Sequence, residues 1–117
     1  MLGLPSGAKI YFCSQPVDLR RGFDGLSGLV ESVFELNVLD GHLFLFVNRR
    51  RDRMKALWWE AGGLVLWYKR LERGTFEMPR VPDGQAHVTI DATQLAMLIG
   101  GVPLASCRTR RKRMEAA

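Results

Sequence analysis

The segment "HLFLFVNRRRDRMKALWWEAGGLVLWYKRLE", His42 to Glu72, does most to limit the possible folds. Three apolar runs rich in strand-preferring residues are separated only by "NRRRD" and "EAGG". Links this tight cannot carry the crossover that parallel neighbours need, so the runs predict an antiparallel meander. The strands are expected at His42–Val47, Arg53–Trp59 and Leu64–Glu72, with a short fourth in "GTFEM", Gly74–Met78. "KIYFC" (Lys9–Cys13) and "HVTI" (His87–Ile90) read as two further strands.

Helices flank the meander. Between Ser14 and Asn37, the residues Phe23, Leu26, Val30, Val33 and Phe34 recur at helical spacing, and Asn37 alone interrupts the stripe. Asp18 is placed to cap this helix. Gly22, Gly25 and Gly28 each weaken it by roughly 1 kcal/mol relative to alanine. A closely packed strand or ligand on their flank would explain all three, and a late helix start would explain Gly22 alone. "DATQLAMLIGG" carries agreeing signals for a second helix. Asp91 is the N-cap with Gln94 as its reciprocal partner, Ile90 and Leu95 are spaced as a hydrophobic staple, and Gly100 suits a left-handed exit. The expected class is α+β: an antiparallel β-meander of about four to six strands packed on one long N-terminal helix, with a short second helix near the C-terminus. One sheet face packs on the long helix. The other still carries aromatics, which points to a curled sheet or a partner.

The 117 residues, 47% apolar, suit one small domain over 1–107, followed by a basic, flexible tail over 108–117. No apolar run spans a membrane, and "MLGLPSGAKIYF" lacks the pattern of a signal peptide. The expected location is the cytoplasm, where Cys13 and Cys107 stay reduced. His42 and His87 are the only histidines, so neither a metal cluster nor a cofactor is expected. Catalysis is not expected either. Asp18 and Asp24 do not share a helical face, and no serine–histidine–acid set or phosphate-binding loop can be assembled.

Charge is the most informative feature for function. Through Cys107, twelve basic residues nearly balance eleven acidic ones, and most of the net +5 lies in "RTRRKR". Within the body, Arg49, Arg50, Arg51, Arg53 and Lys55 face only Asp52. This group is either a solvated turn in which Asp52 pairs with a neighbouring arginine, or a hairpin tip that presents guanidinium forks to phosphate. Arg20 and Arg21, near the start of the long helix, are placed to help hold an anion. Trp58 shares strand parity with Met54 and Ala56 and is expected in the core. Trp59 faces the other way, toward solvent, a partner or a base. Trp67 and Lys69 share one face of the third strand, and Tyr68 and Arg70 the other. This interleaving fits either a nucleic-acid surface or long side chains covering a sheet edge. In the tail, Arg108, Arg110, Arg111, Lys112 and Arg113 form an arm suited to nonspecific phosphate contact, or simply a solubilising end.

Three blocks, "PVDLRRGFDGL", "GHLFLFVNRRRDRMKALWWEAGG" and "YKRLERGTFEMP", together resemble the small accessory protein of IS-sixty-six-type bacterial insertion sequences. The likeness runs from about Lys9 to Leu98. It implies a nonenzymatic protein of DNA transposition, acting beside a transposase on DNA, on that transposase, or on both. The alternative is a purely protein-binding scaffold for the transposase, and the aromatic sheet also allows a homo-oligomer. A small nuclease would need clustered carboxylates or a histidine base.

Overall fold

The computed structural model describes residues 7–100. A five-stranded sheet forms its centre, with strands ordered β4-β3-β2-β1-β5. They are β1 (Ile10–Cys13), β2 (Leu43–Val47), β3 (Arg53–Glu60), β4 (Gly63–Arg70) and β5 (His87–Ile90). β2, β3 and β4 form the expected antiparallel meander. The order of the other strands departs from simple succession. β1 lies parallel to β2, because helix α1 (Phe23–Ser32) and the 3-10 turn Val38–Asp40 occupy the connection and return the chain to the same end. β5 then adds antiparallel to the outer side of β1.

Strand alternation divides the core into two layers. Tyr11, Phe44, Phe46 and Leu57 face α1 and meet Leu26, Val30 and Phe34. Phe12, Leu43, Leu45, Met54, Ala56 and Trp58 face the opposite side. There they meet Phe76 and, from helix α2 (Ala92–Ile99), Leu95 and Leu98. The centre of the second face is therefore covered from within the chain, while Val65 and Trp67 at its β4 edge stay half-buried. The chain after β4 folds under it, and Phe76 is almost wholly buried at 1% exposure. "GTFEM" forms no strand. A backbone bond, Phe76 N–H to the Arg51 carbonyl at 2.6 Å, anchors it while its phenylalanine fills the core.

The helix signals were followed unevenly. α2 has its full capping box. The Asp91 carboxylate accepts from the Gln94 amide at 2.7 Å, and the Gln94 side chain accepts from the Asp91 amide at 2.9 Å. Ile90 and Leu95 lie in one cluster. Gly100 ends the helix with right-handed angles (φ −73°), not the left-handed ones expected of it. α1 starts later than expected. Its N-cap is Gly22, with no side-chain cap, and Asp18 lies four residues too early to serve. The glycine flank of α1 meets no packed strand. A Cβ at Gly28 would enter open space, and one at Gly25 would meet only the Arg21 side chain.

Candidate polyanion-binding groove

The β2–β3 turn is braced mainly by one side chain. Asn48 Oδ1 accepts from the Asp52 amide (3.1 Å) and the Arg53 amide (3.0 Å), while Asn48 Nδ2 donates to Asp52 Oδ1 at 2.7 Å. The Arg51 amide closes the turn on the Asn48 carbonyl. Arg51 itself sits at φ 62°, a left-handed conformation uncommon for a residue with a side chain. Neighbouring segments tie in the turn on both flanks. The Val17 amide donates to the Val47 carbonyl at 2.9 Å, and the Leu71 amide donates to the Asp52 carbonyl at 2.7 Å. This network leaves Asp52 held by Asn48 and not by an arginine. The amide donated by Asn48 is the main reason its carboxyl titrates below the usual range.

Between this tip and the loop leading to α1 lies an open groove of ≈ 1080 Å³. Among the described residues, its lining includes Arg20, Arg49, Arg50, Arg53 and Lys55, against only Asp18 and Asp52. Both carboxylates are engaged within the chain. Asp18 takes a forked pair of bonds from Arg20, the closer at 2.6 Å, and also accepts the Arg20 amide. That side-chain pairing, more than any other influence, lowers the Asp18 carboxyl to about 2. Arg49 and Arg50 are exposed, and among the described residues neither side chain has a hydrogen bond or ion pair.

Lys55 forms part of the wall. It is only 8% exposed, and burying a cation is tolerable only with partners. Its Nζ donates to the Arg21 carbonyl at 2.9 Å and lies 4.9 Å from the Tyr68 ring centre. These contacts link β3, β4 and the loop before α1. Arg53 adds a bond to the Tyr68 hydroxyl at 3.3 Å. Arg70 is register partner to Arg53 on the same face and pairs with Glu72 at 3.1 Å.

Other basic and aromatic candidates lie elsewhere. Lys69 is register partner to Met54 on the far face, where its ammonium donates to the Ile99 carbonyl at 2.7 Å. A cation suits the end of a helix. Trp67 packs half-buried against that same core layer. Trp58 is buried as expected, at 6%. Trp59 is half-buried at the opposite end of β3 from Arg53, so it cannot act with the groove on one nucleotide. Arg51 is exposed but does not line the groove. Arg108, Arg110, Arg111, Lys112 and Arg113 lie outside the described residues, as does Cys107. Cys13 is buried, and burial raises its thiol pKa. Among the described residues, no group of three or more His, Cys, Asp or Glu could hold a metal, and no helix is long and apolar enough to cross a membrane.

Asn48 and Tyr68 are the groove residues whose roles were not anticipated. An asparagine opening a short polar turn is a recognisable signal, whereas Tyr68 becomes significant only through its pairing with Lys55.

Two proteins of Sinorhizobium fredii (strain NBRC 101917 / NGR234) are similar to this chain. The uncharacterized protein y4jC is 36% identical over 102 residues, covering 87% of this chain and 86% of its own length. The uncharacterized protein y4hO is 37% identical over 101 residues, covering 85% and 86%. No solved structure matches the chain. The model of the family described as "IS66 Orf2 like protein" matches residues 8–109. The chain belongs to that family, and is thereby a nonenzymatic accessory protein of DNA transposition, associated with a transposase.

Proposed function

We propose that the protein serves transposition by gripping DNA through its phosphates in the groove between the β2–β3 tip and the loop before α1. One observation carries this reading. Five cationic side chains line the groove, and both carboxylates among them are already bound within the chain. Arg49 and Arg50 supply the free guanidinium forks, which match phosphate geometry. Arg20 and Arg53 flank them. Lys55 contributes charge from the wall without leaving its carbonyl. The basic tail, 108–113, adds nonspecific phosphate contacts, and the transposase supplies the chemistry.

The scaffold reading, in which the chain contacts only the transposase, drew on an open aromatic sheet face. α2 and Phe76 cover the centre of that face, which supports DNA as the ligand. Titration of labelled element-end and unrelated duplexes at two salt concentrations tests the reading. The expected result is strongly salt-dependent binding with little preference between the duplexes. No binding to either duplex at low salt would remove DNA as the ligand.

A further inference from the structure

The two edges of the sheet differ in exposure. β5 is four residues long, whereas β4 presents eight, with the apolar run Leu64, Val65, Leu66 and Trp67 at its centre. Natural edge strands are usually short, charged or covered, because a free row of main-chain donors and acceptors templates pairing. All four of these apolar residues are only half-buried.

The β3–β4 turn determines which main-chain groups of β4 face outward. Glu60 and Gly63 flank a two-residue turn, and such turns close on a hydrogen-bonded pair. Alternation then directs the main chain of Val65, Trp67 and Lys69 toward β3, and that of Leu64, Leu66, Tyr68 and Arg70 away from it. The bond from the Leu71 amide to the Asp52 carbonyl continues the same alternation one step further. Among the described residues, nothing on the outer side pairs with the main chain of Leu64, Leu66 or Tyr68.

We propose that β4 pairs antiparallel with β4 of a second copy of this chain, about a two-fold axis normal to the sheet and midway between the two copies of Leu66. The outward residues match themselves in this register. Leu66 faces Leu66 of the second copy, and Leu64 faces Tyr68 in each direction, giving about six main-chain hydrogen bonds. Val65 on one copy meets Trp67 on the other, a favourable pairing of β-branched and aromatic side chains. Lys69 and Arg70 fall opposite Gly63 and Gly62, so no cation faces a cation across the seam. The axis leaves both α1 faces on the same side of the joined sheet. The two Tyr68 residues, each on a groove wall, are then offset by about 13 Å along the strands. The functional consequence rests on the groove reading: two phosphate grips facing one way. The pairing itself does not.

Sedimentation of the full chain without DNA tests the pairing independently of the groove. The expected result is a species of twice the chain mass, and Leu66→Lys returns it to the monomer by placing like charges on either side of the axis. Because Leu66→Lys could unfold the chain, Leu66→Cys in a Cys107→Ser background provides a second test. Paired residues of this kind lie about 5.5 Å apart at Cα, within disulfide reach. Mild oxidation should cross-link Leu66→Cys at least ten-fold faster than Leu64→Cys, whose two copies lie about 13 Å apart. A wild-type chain that stays monomeric at high micromolar concentration would overturn the proposal. Equal cross-linking rates would also overturn it, as would a chain monomeric alone whose β4 is protected only by added transposase.

Discussion

Two hairpin turns flank β3, and they are built on different principles. The β3–β4 turn is the minimal one: two residues, Ala61 (φ 48°) and Gly62 (φ 85°), both left-handed, as the twist of the flanking strands prefers. Backbone pairing alone closes it. The β2–β3 turn is longer and is braced by Asn48, by Val17 on one flank and by Leu71 and Phe76 on the other. The economical turn only reverses the chain. The braced turn holds a row of arginines beside a groove, and it needs the bracing because those side chains repel one another and add no packing of their own.

Removing the brace should have the largest effect. Asn48→Ala deletes three hydrogen bonds and leaves the part-buried Asp52 amide and the exposed Arg53 amide without that acceptor. We expect a loss of roughly 2–3 kcal/mol in urea unfolding. A loss under roughly 0.5 kcal/mol would mean that the flanking backbone bonds alone hold the turn, and the contrast between the two hairpins would collapse.

Separating charge from architecture comes next. The double variant Arg49→Ala, Arg50→Ala removes two exposed guanidiniums without such bonds. Its folding stability should stay within roughly 0.5 kcal/mol of the parent. Duplex binding should weaken by about ten-fold at moderate salt, and the slope of log affinity against log salt should shrink by about 2, one unit per lost phosphate contact. An unchanged slope would move the DNA contact away from the tip.

Strain gives a smaller and opposite test. Ala61 and Arg51 both sit at positive φ, where asparagine and glycine are at ease. Ala61→Asn and Arg51→Gly should each stabilise the fold by roughly 1 kcal/mol. If Arg51→Gly stabilises the fold yet weakens DNA binding, the strained arginine serves the ligand even though it stands outside the groove lining. If binding is untouched, its side chain is incidental.

The sequence shows the two turns equally well, but not how they differ. Strand parity placed Trp58 inward and separated Lys69 from Arg70, because period-two alternation is local. The second helix was equally clear, since its cap and staple lie within a few residues. Features that depend on distant partners were hidden. β1 separates β2 from β5 only because α1 carries the chain back over the sheet. "GTFEM" resembles a strand, yet Phe76 is held by a backbone bond to Arg51, twenty-five positions earlier. Asp18 has the composition of a helix cap, but Arg20 competes for its carboxylate two residues later and the helix begins beyond both. In the groove, Arg49 to Lys55 showed the charge. Arg20 showed charge in the other wall too, but nothing local in the loop from Pro16 to Arg20 showed that it lies across from the turn.

Acid should distinguish the groove most gently. Two carboxylates line it, Asp18 beside Arg20 and Asp52 beside Asn48, and both are lowered, Asp18 to about 2. A carboxylate whose folded pKa lies below its unfolded value adds stability above the unfolded pKa, near 4, and loses it as pH falls through the folded one. The contribution should therefore be intact at pH 5 and fade between about pH 4 and pH 2. Asp18 is half exposed, so solvent keeps its share small. Carboxyl-carbon NMR should give Asp18 a midpoint near 2, and Asp52 a midpoint below the ordinary range for its type. Arg20→Gln should return Asp18 toward that range and leave Asp52 almost unmoved, since Asn48 and not Arg20 holds the second carboxylate. If Asp52 moves as far as Asp18, the two walls titrate as one unit, and the braced turn draws on the α1 loop for charge as well as for backbone support.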